Sequence, residues 1–239
     1  MATQFNLLGK RSTQLIHDCL TDHNSGNLAM LLRLNEKSGN PIDLCERYKV
    51  AGVATGLGYS QTLSTGVIGV SASGANQIAI GDVAPLDFEN TQAFSMMAVV
   101  NGTWNSAAYP FFKYDGTTAG YYWRIGSTGL RGLLVAVNAA ATDWFAVDST
   151  VALTASATTI IHVTYSGSKT RAGARLFTNG AADTLTNTGT ATLTGNSANA
   201  ISADLLKTFL GNKCAIFGFW DAVLSVEDVA RHAYVLGLL

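Results

Sequence analysis

Short runs of alternating apolar and polar residues fill most of this chain, and clusters of Gly, Ser, Asn and Asp separate them. That pattern predicts strands joined by turns. Residues 159–165 show it most cleanly. Ile161, Val163 and Tyr165 take one face, and Ile160, His162 and Thr164 take the other. Residues 28–34, 94–100 and 214–220 are mostly apolar, interrupted only by Arg33, Ser95 and Gly218, and predict strands inside the core. Further strands are predicted at 67–70, 77–80, 111–114, 121–125, 133–137, 144–147 and 174–178. Residues 115–120 (Asp-Gly-Thr-Thr-Ala-Gly) predict a hairpin loop, and Asn179-Gly180 predicts a tight turn because both residues accept positive φ. Threonine at every second position from Thr184 to Thr194 fits an exposed strand pair.

Two segments carry a helical period instead. Ser225-Val226-Glu227-Asp228 has the form of a capping box, and Leu224 with Val229 forms a hydrophobic staple around it. Val226, Val229, Ala230, Ala233 and Tyr234 then make one apolar stripe. Near the N-terminus, Ser12 or Thr13 can cap a short helix with Leu15, Ile16, Cys19 and Leu20 on one side, stopped by Asn24-Ser25-Gly26. A helix this short needs a surface to lie on, in its own domain or a neighbour. The chain therefore divides into an arm, residues 1–27, and one β domain, residues 28–239. Many short strands with Gly-rich turns and only 3 prolines predict an all-β, two-sheet antiparallel sandwich of the jelly-roll kind.

Composition narrows the function classes. Charged residues are 13% of the 239, against about 25% in ordinary globular chains, and the net charge is −1. This excludes a basic nucleic-acid binder that works by neutralising phosphates. Mean hydropathy is +0.21, yet no apolar stretch reaches the roughly 18 residues of a transmembrane helix. Residues 1–9 lack the apolar length of a secretory signal, so none is expected. Cys19, Cys45 and Cys214 are an odd, sparse set that predicts no disulfide framework and a reducing site of synthesis. A weakly charged, apolar chain has surface to hide, and assembly with other chains is one way to hide it.

Four stretches in order resemble the laminin-G-like branch of the concanavalin A-like jelly-roll superfamily. They are residues 93–99 (Ala-Phe-Ser-Met-Met-Ala-Val), 161–167 (Ile-His-Val-Thr-Tyr-Ser-Gly), 175–180 (Arg-Leu-Phe-Thr-Asn-Gly) and 219–229, from Phe219 through Ser225 to Val229. The resemblance implies two curved antiparallel sheets with the first and last strands close together. It departs from the family at Ala215 and Ile216, where an acidic pair is common, so no calcium role is carried over to that place.

Candidate chemistry is sparse. The glycosidases of this superfamily alternate three acids along one strand; Asp87-Phe88-Glu89 supplies two, short of the carboxylate arrangement such hydrolysis uses. Asp82, Asp87 and Glu89 are the nearest approach to a calcium cluster. His17, Asp18, Cys19, Asp22 and His23 include zinc-ligand types at no standard spacing. No nucleophile elbow or P-loop is present. No catalytic residue, cofactor or metal is therefore expected. Aromatic residues at Trp104, Tyr109, Tyr122 and Trp123 are the candidate ligand- or partner-binding residues, because Tyr121-Tyr122-Trp123 must point to both faces of a strand. Leu15, Ile16, Cys19 and Leu20 are the candidate arm contacts. By analogy with phage structural proteins, the expected role is a non-enzymatic virion protein, a capsid decoration or tail-associated subunit of a homo-oligomer, made in the host cytoplasm. Its expected partners are neighbouring virion subunits, with no nucleic acid and no membrane. The alternative is a carbohydrate-binding lectin or receptor-binding module, with a glycan as partner.

Overall fold

The computed structural model describes residues 14–17, 19, 25–34, 42–45, 57–63, 68–72, 77–81, 86–105, 107–114, 120–138, 142–195, 204–207 and 212–238. In chain order the strands are β1 (Leu28–Arg33), β2 (Ile42–Asp43), β3 (Leu57–Thr62), β4 (Ile68–Ala72), β5 (Gln77–Gly81), β6 (Phe94–Asn101), β7 (Ala108–Tyr114) and β8 (Gly120–Ile125). They continue with β9 (Arg131–Asn138), β10 (Asp143–Ser149), β11 (Thr159–Tyr165), β12 (Ala174–Thr178), β13 (Ala181–Ala182), β14 (Leu185–Gly189), β15 (Asp204–Lys207) and β16 (Lys213–Trp220). Helix α1 (Val226–Val235) follows.

Among the described residues these strands form two antiparallel sheets. The first runs β13-β12-β11-β6-β16-β1-β2, with β4 also on β16 and β3 on β4; the second runs β14-β10-β9-β8-β7-β15-β5. The first strand, β1, lies beside the last, β16, with Leu28 opposite Trp220 and Arg33 opposite Ile216. The protein is thus an all-β sandwich with one short C-terminal helix. Asn179 and Gly180 have φ of 48° and 84° and turn β12 into β13, as the dipeptide predicts. The threonine-rich stretch yields one edge strand, β14, rather than a pair of its own. Its partner is β10, with Thr188 opposite Ala146 and Thr186 opposite Asp148.

Alternation along each strand sends one set of side chains between the sheets. Phe94, Met96 and Ala98 of β6, Ile161, Val163 and Tyr165 of β11, and Phe217 and Phe219 of β16 meet Phe111, Tyr121, Trp123, Leu133 and Phe145 of the second sheet. The rings contact one another closely, with Phe88 and Phe219 stacked at 5.0 Å and Phe111 and Tyr121 at 5.4 Å. The hydroxyls of the buried Tyr121 and Tyr165 do not go unpaired. Tyr121 donates to the Leu86 carbonyl at 2.5 Å and Tyr165 to the Asn90 carbonyl at 2.7 Å, which ties residues 86–90 across the core.

The outer face of the first sheet is covered as well. Ser225 caps α1: its hydroxyl accepts from Asp228 N at 3.1 Å, and the Asp228 carboxylate accepts from Ser225 N at 3.2 Å. Val229, Ala233 and Leu236 of the helix region pack on Met97, Val99, Ile160, Phe177 and Trp220. Leu15, Ile16 and Cys19 are buried in the same cluster. Their apolar surface is therefore taken up within the chain and is not left over to grip a neighbouring subunit. Leu20 lies outside the described residues. Among the described residues no helix is long and apolar enough to cross a membrane.

Candidate functional site: the outer face of the second sheet

Helix α1 packs on the first sheet, and the outer face of the second is not the polar surface that a solvated antiparallel sheet presents. Three cross-strand rows build it. In the central row Phe112 of β7 lies opposite Tyr122 of β8, Tyr122 opposite Leu134 of β9, and Leu134 opposite Ala146 of β10. On one side Tyr114, Gly120, Ala136 and Trp144 form the next row. On the other side come Arg124, Gly132 and Asp148. Tyr114, Tyr122 and Trp144 pack on the small patch made by Leu134, Ala136 and Ala146.

The rings form one contiguous group. Phe112 and Tyr122 stack at 5.8 Å with 13° between planes. Tyr109 meets Phe112 edge-on at 5.3 Å and Tyr122 at 5.6 Å, while Tyr114 meets Tyr122 at 5.5 Å. Strict alternation would separate Tyr109 from Phe112. A register irregularity between Ala108 and Phe111 shifts the phase and brings both to the same side. All four rings are half-buried, so each keeps part of its surface open.

Beside the rings lies a closed ion pair. Arg124 Nη2 donates to Asp148 Oδ1 at 3.0 Å, with the two side chains 39% and 20% exposed. Gly132 makes room for it. A Cβ there would sit 2.1 Å from Asp148 Oδ1 and 3.2 Å from Arg124 Nε. Burial raises the Tyr122 hydroxyl above the ordinary tyrosine value, with the nearby Arg124 charge opposing it. Burial alone would lower Arg124, but the hydrogen bond and charge of Asp148 outweigh that and raise it. At neutral pH the face therefore presents a phenol O–H and a guanidinium, with Asp148 as the acceptor beside them. Replacing Gly132 by Ala is expected to push the pair apart. Both clashing groups are side-chain ends that can move, so stability should change by less than about 1 kcal/mol. A shift of the Arg124 Nε–H resonance with little change in the urea midpoint is the expected readout.

Of the residues expected from sequence, Tyr109 and Tyr122 belong to this face. Trp104 and Trp123 do not, contrary to the expectation from sequence, and neither is open to a partner. They are 3% and 0% exposed and belong to the inter-sheet core. Trp123 points inward because it is one residue from the outward Tyr122. Trp104 is held at φ 56°, with its backbone N–H and that of Thr103 aimed at Asn212 Oδ1 at 3.5 and 2.9 Å. Phe112, Tyr114, Arg124 and Asp148 complete the face, and the sequence alone does not single them out. Arg124 and Asp148 are 24 residues apart in sequence, and only the register of β8, β9 and β10 brings them together.

The other candidates lie away from this face or outside the described residues. Asp87 pairs at 2.5 Å with Lys113, whose side chain is 1% exposed, so its charge serves a buried cation. The Glu89 backbone N–H donates to Gln92 Oε1 at 2.8 Å. His17 is exposed while Cys19 is buried, so these two face different surroundings; Asp18, Asp22, His23 and Asp82 lie outside the described residues. Among the described residues no three His, Cys, Asp or Glu side chains are gathered as a metal site.

No protein-family profile matches the sequence, and no curated protein matches it. Solved structures do. The binding domain of Paraclostridial mosquitocidal protein 1 superposes with a TM-score of 0.63 at 12% identity, over 87% of this chain and 52% of that one. The binding domain of botulinum neurotoxin DC, solved once in complex with SialylT and once with rat synaptotagmin II, superposes in both with a TM-score of 0.59 at 10% identity. Coverage is 88% of this chain and 52% of that one in each. The chain thus spans about half the length of these binding domains. At these identities the likeness establishes the β-sandwich fold alone. It gives no support to a laminin-G-like family assignment or to a phage origin.

Proposed function

We propose that this protein is a non-catalytic binding module that takes a glycan on the outer face of the second sheet. The observation that carries the proposal is the contiguous ring group of Tyr109, Phe112, Tyr114 and Tyr122 beside the Arg124–Asp148 pair. Such rings bury no inter-sheet surface, so the sandwich does not need them there. A pyranose offers an apolar C–H face to a ring and hydroxyls at its edge. A site of aromatic surface with a few convergent polar groups matches that chemistry. Because Arg124 and Asp148 neutralise each other, they offer a donor and an acceptor to hydroxyls without a net charge, which favours neutral sugars. The matched structures support this reading in kind, since each is a binding domain, one of them solved with SialylT.

A protein partner is the second reading, favoured by the aliphatic floor of Leu134, Ala136 and Ala146 beneath the rings. The virion-subunit reading draws in part on arm residues that grip a neighbour, and the burial of Leu15, Ile16 and Cys19 on their own sheet weakens that part of it. The test is a glycan array probed with the full chain, followed by calorimetry on the hits. Sub-millimolar binding of a neutral oligosaccharide, lost in Tyr122→Ala, is expected. An array with no hit would end the glycan reading.

A further inference from the structure

On the opposite side of the molecule, three elements converge on two histidines that the proposed binding face does not use. His162 projects from β11 through the outer face of the first sheet, and His232 comes from α1. Both are 1% exposed. His162 Nε2 and His232 Nδ1 are 3.1 Å apart, and the rings stack at 5.4 Å. His232 Nε2 then faces Cys19 Sγ of the N-terminal helical residues at 3.8 Å, and Trp220 stacks on the His232 ring at 5.8 Å. Sheet, C-terminal helix and N-terminal segment are thus joined through one imidazole pair.

The geometry allows only one proton between the two facing nitrogens. In either tautomer arrangement the pair is neutral, one ring donating and the other accepting. The remaining nitrogen of His162, Nδ1, is buried with no hydrogen-bond partner. A proton added there would create a buried cation with nothing to receive its N–H. Burial, and secondarily the neighbouring His232, hold His162 well below the usual histidine value. Among the described residues the surroundings offer little relief. Beside His162 in the ladders stand Met97 of β6 and Phe177 of β12, both apolar. The N-terminal residues contribute the Cys19 thiol and the exposed His17. From α1, the Asp228 carboxylate is engaged by the Ser225 cap and by Arg231 at 3.4 Å, and Glu227 is exposed.

We propose that the His162–His232 pair is an acid-sensitive latch that holds α1 and the Cys19-bearing segment on the first sheet and lets them go when it is protonated. The direction follows from linkage. A histidine kept neutral by folding adds stability that is complete above its unfolded value, near 6.5, and is lost as pH falls below that toward its depressed folded value. Release would uncover the apolar surface of Met97, Val99, Ile160, Phe177 and Trp220 and leave the second sheet in place.

Hydrogen exchange of the full chain between pH 7.5 and 4.5, corrected for intrinsic exchange, reads the latch. The opening equilibrium of the α1 amides should rise about tenfold per pH unit for each titrating histidine below about pH 6.5. Strands β8 and β9 should stay protected. His162→Phe keeps a ring against His232, removes one titrating group and should flatten the slope. If that variant does not fold, an imidazole NMR titration of the unaltered protein replaces it, with both histidines expected to titrate together with the loss of helix protection. Constant α1 protection down to pH 4.5 would overturn the proposal. So would an unchanged slope in His162→Phe, histidines that titrate near 6.5 while α1 stays protected, or loss of both sheets in the same step.

Discussion

Arg131→Ala should lower the unfolding free energy by about 3–5 kcal/mol. Arg131 is 2% exposed at the start of β9. Its Nη2 donates to Asp183 Oδ2 and its Nη1 to the Val151 carbonyl, each at 2.7 Å. Asp183 in turn accepts from Thr178 Oγ1 at 2.9 Å. The network fastens the β12–β13 hairpin of the first sheet to β9 of the second. Removing the cation leaves a carboxylate 10% exposed and without its countercharge. Removing both charges is a different matter, because each also avoids its desolvation cost. Arg131→Met combined with Asp183→Leu should therefore recover most of the loss. Urea midpoints of the two single variants and the double variant decide it; a double variant as unstable as the sum of the singles would contradict the argument.

Phe112→Ala with Tyr122→Ala should abolish binding on the aromatic face. Central aromatic anchors of a binding surface each contribute at least about 2 kcal/mol, which is roughly a thirtyfold loss of affinity per ring. The two rings stack on each other, so the second replacement should add less than the first. Neither ring belongs to the inter-sheet core, and circular dichroism of the double variant should keep its β signature. Calorimetric titration with the best array ligand gives the affinities. Undiminished binding in a folded double variant would place the site elsewhere.

The parts of this architecture that local chemistry determines could be read directly from the chain. Ser225 and Asp228 announce their own cap, Asn179-Gly180 its own turn, and the alternation in residues 159–165 its own two faces. What eluded the sequence depends on pairs distant along the chain. Arg124 and Asp148 meet only because β9 lies between their strands with a glycine at the crossing. Tyr109 joins Phe112 only because the ladder slips after Ala108. Trp123 and Trp104 look as available as Tyr122 in the sequence, yet one is set inward by strand phase and the other by a left-handed backbone residue held by Asn212. His162 could be assigned to a sheet face, but its partner on α1 stands 70 residues further on.

The central claim is that recognition takes place on the outer face of the second sheet. NMR chemical-shift mapping of the full chain, titrated with the strongest neutral oligosaccharide from the array, tests it most directly. Perturbations gathered at Tyr109, Phe112, Tyr114, Tyr122, Arg124 and Trp144, with α1 and β11 unmoved, are the predicted result. Saturable perturbations centred on α1 or on the β12–β13 hairpin, with those six residues silent, would contradict it.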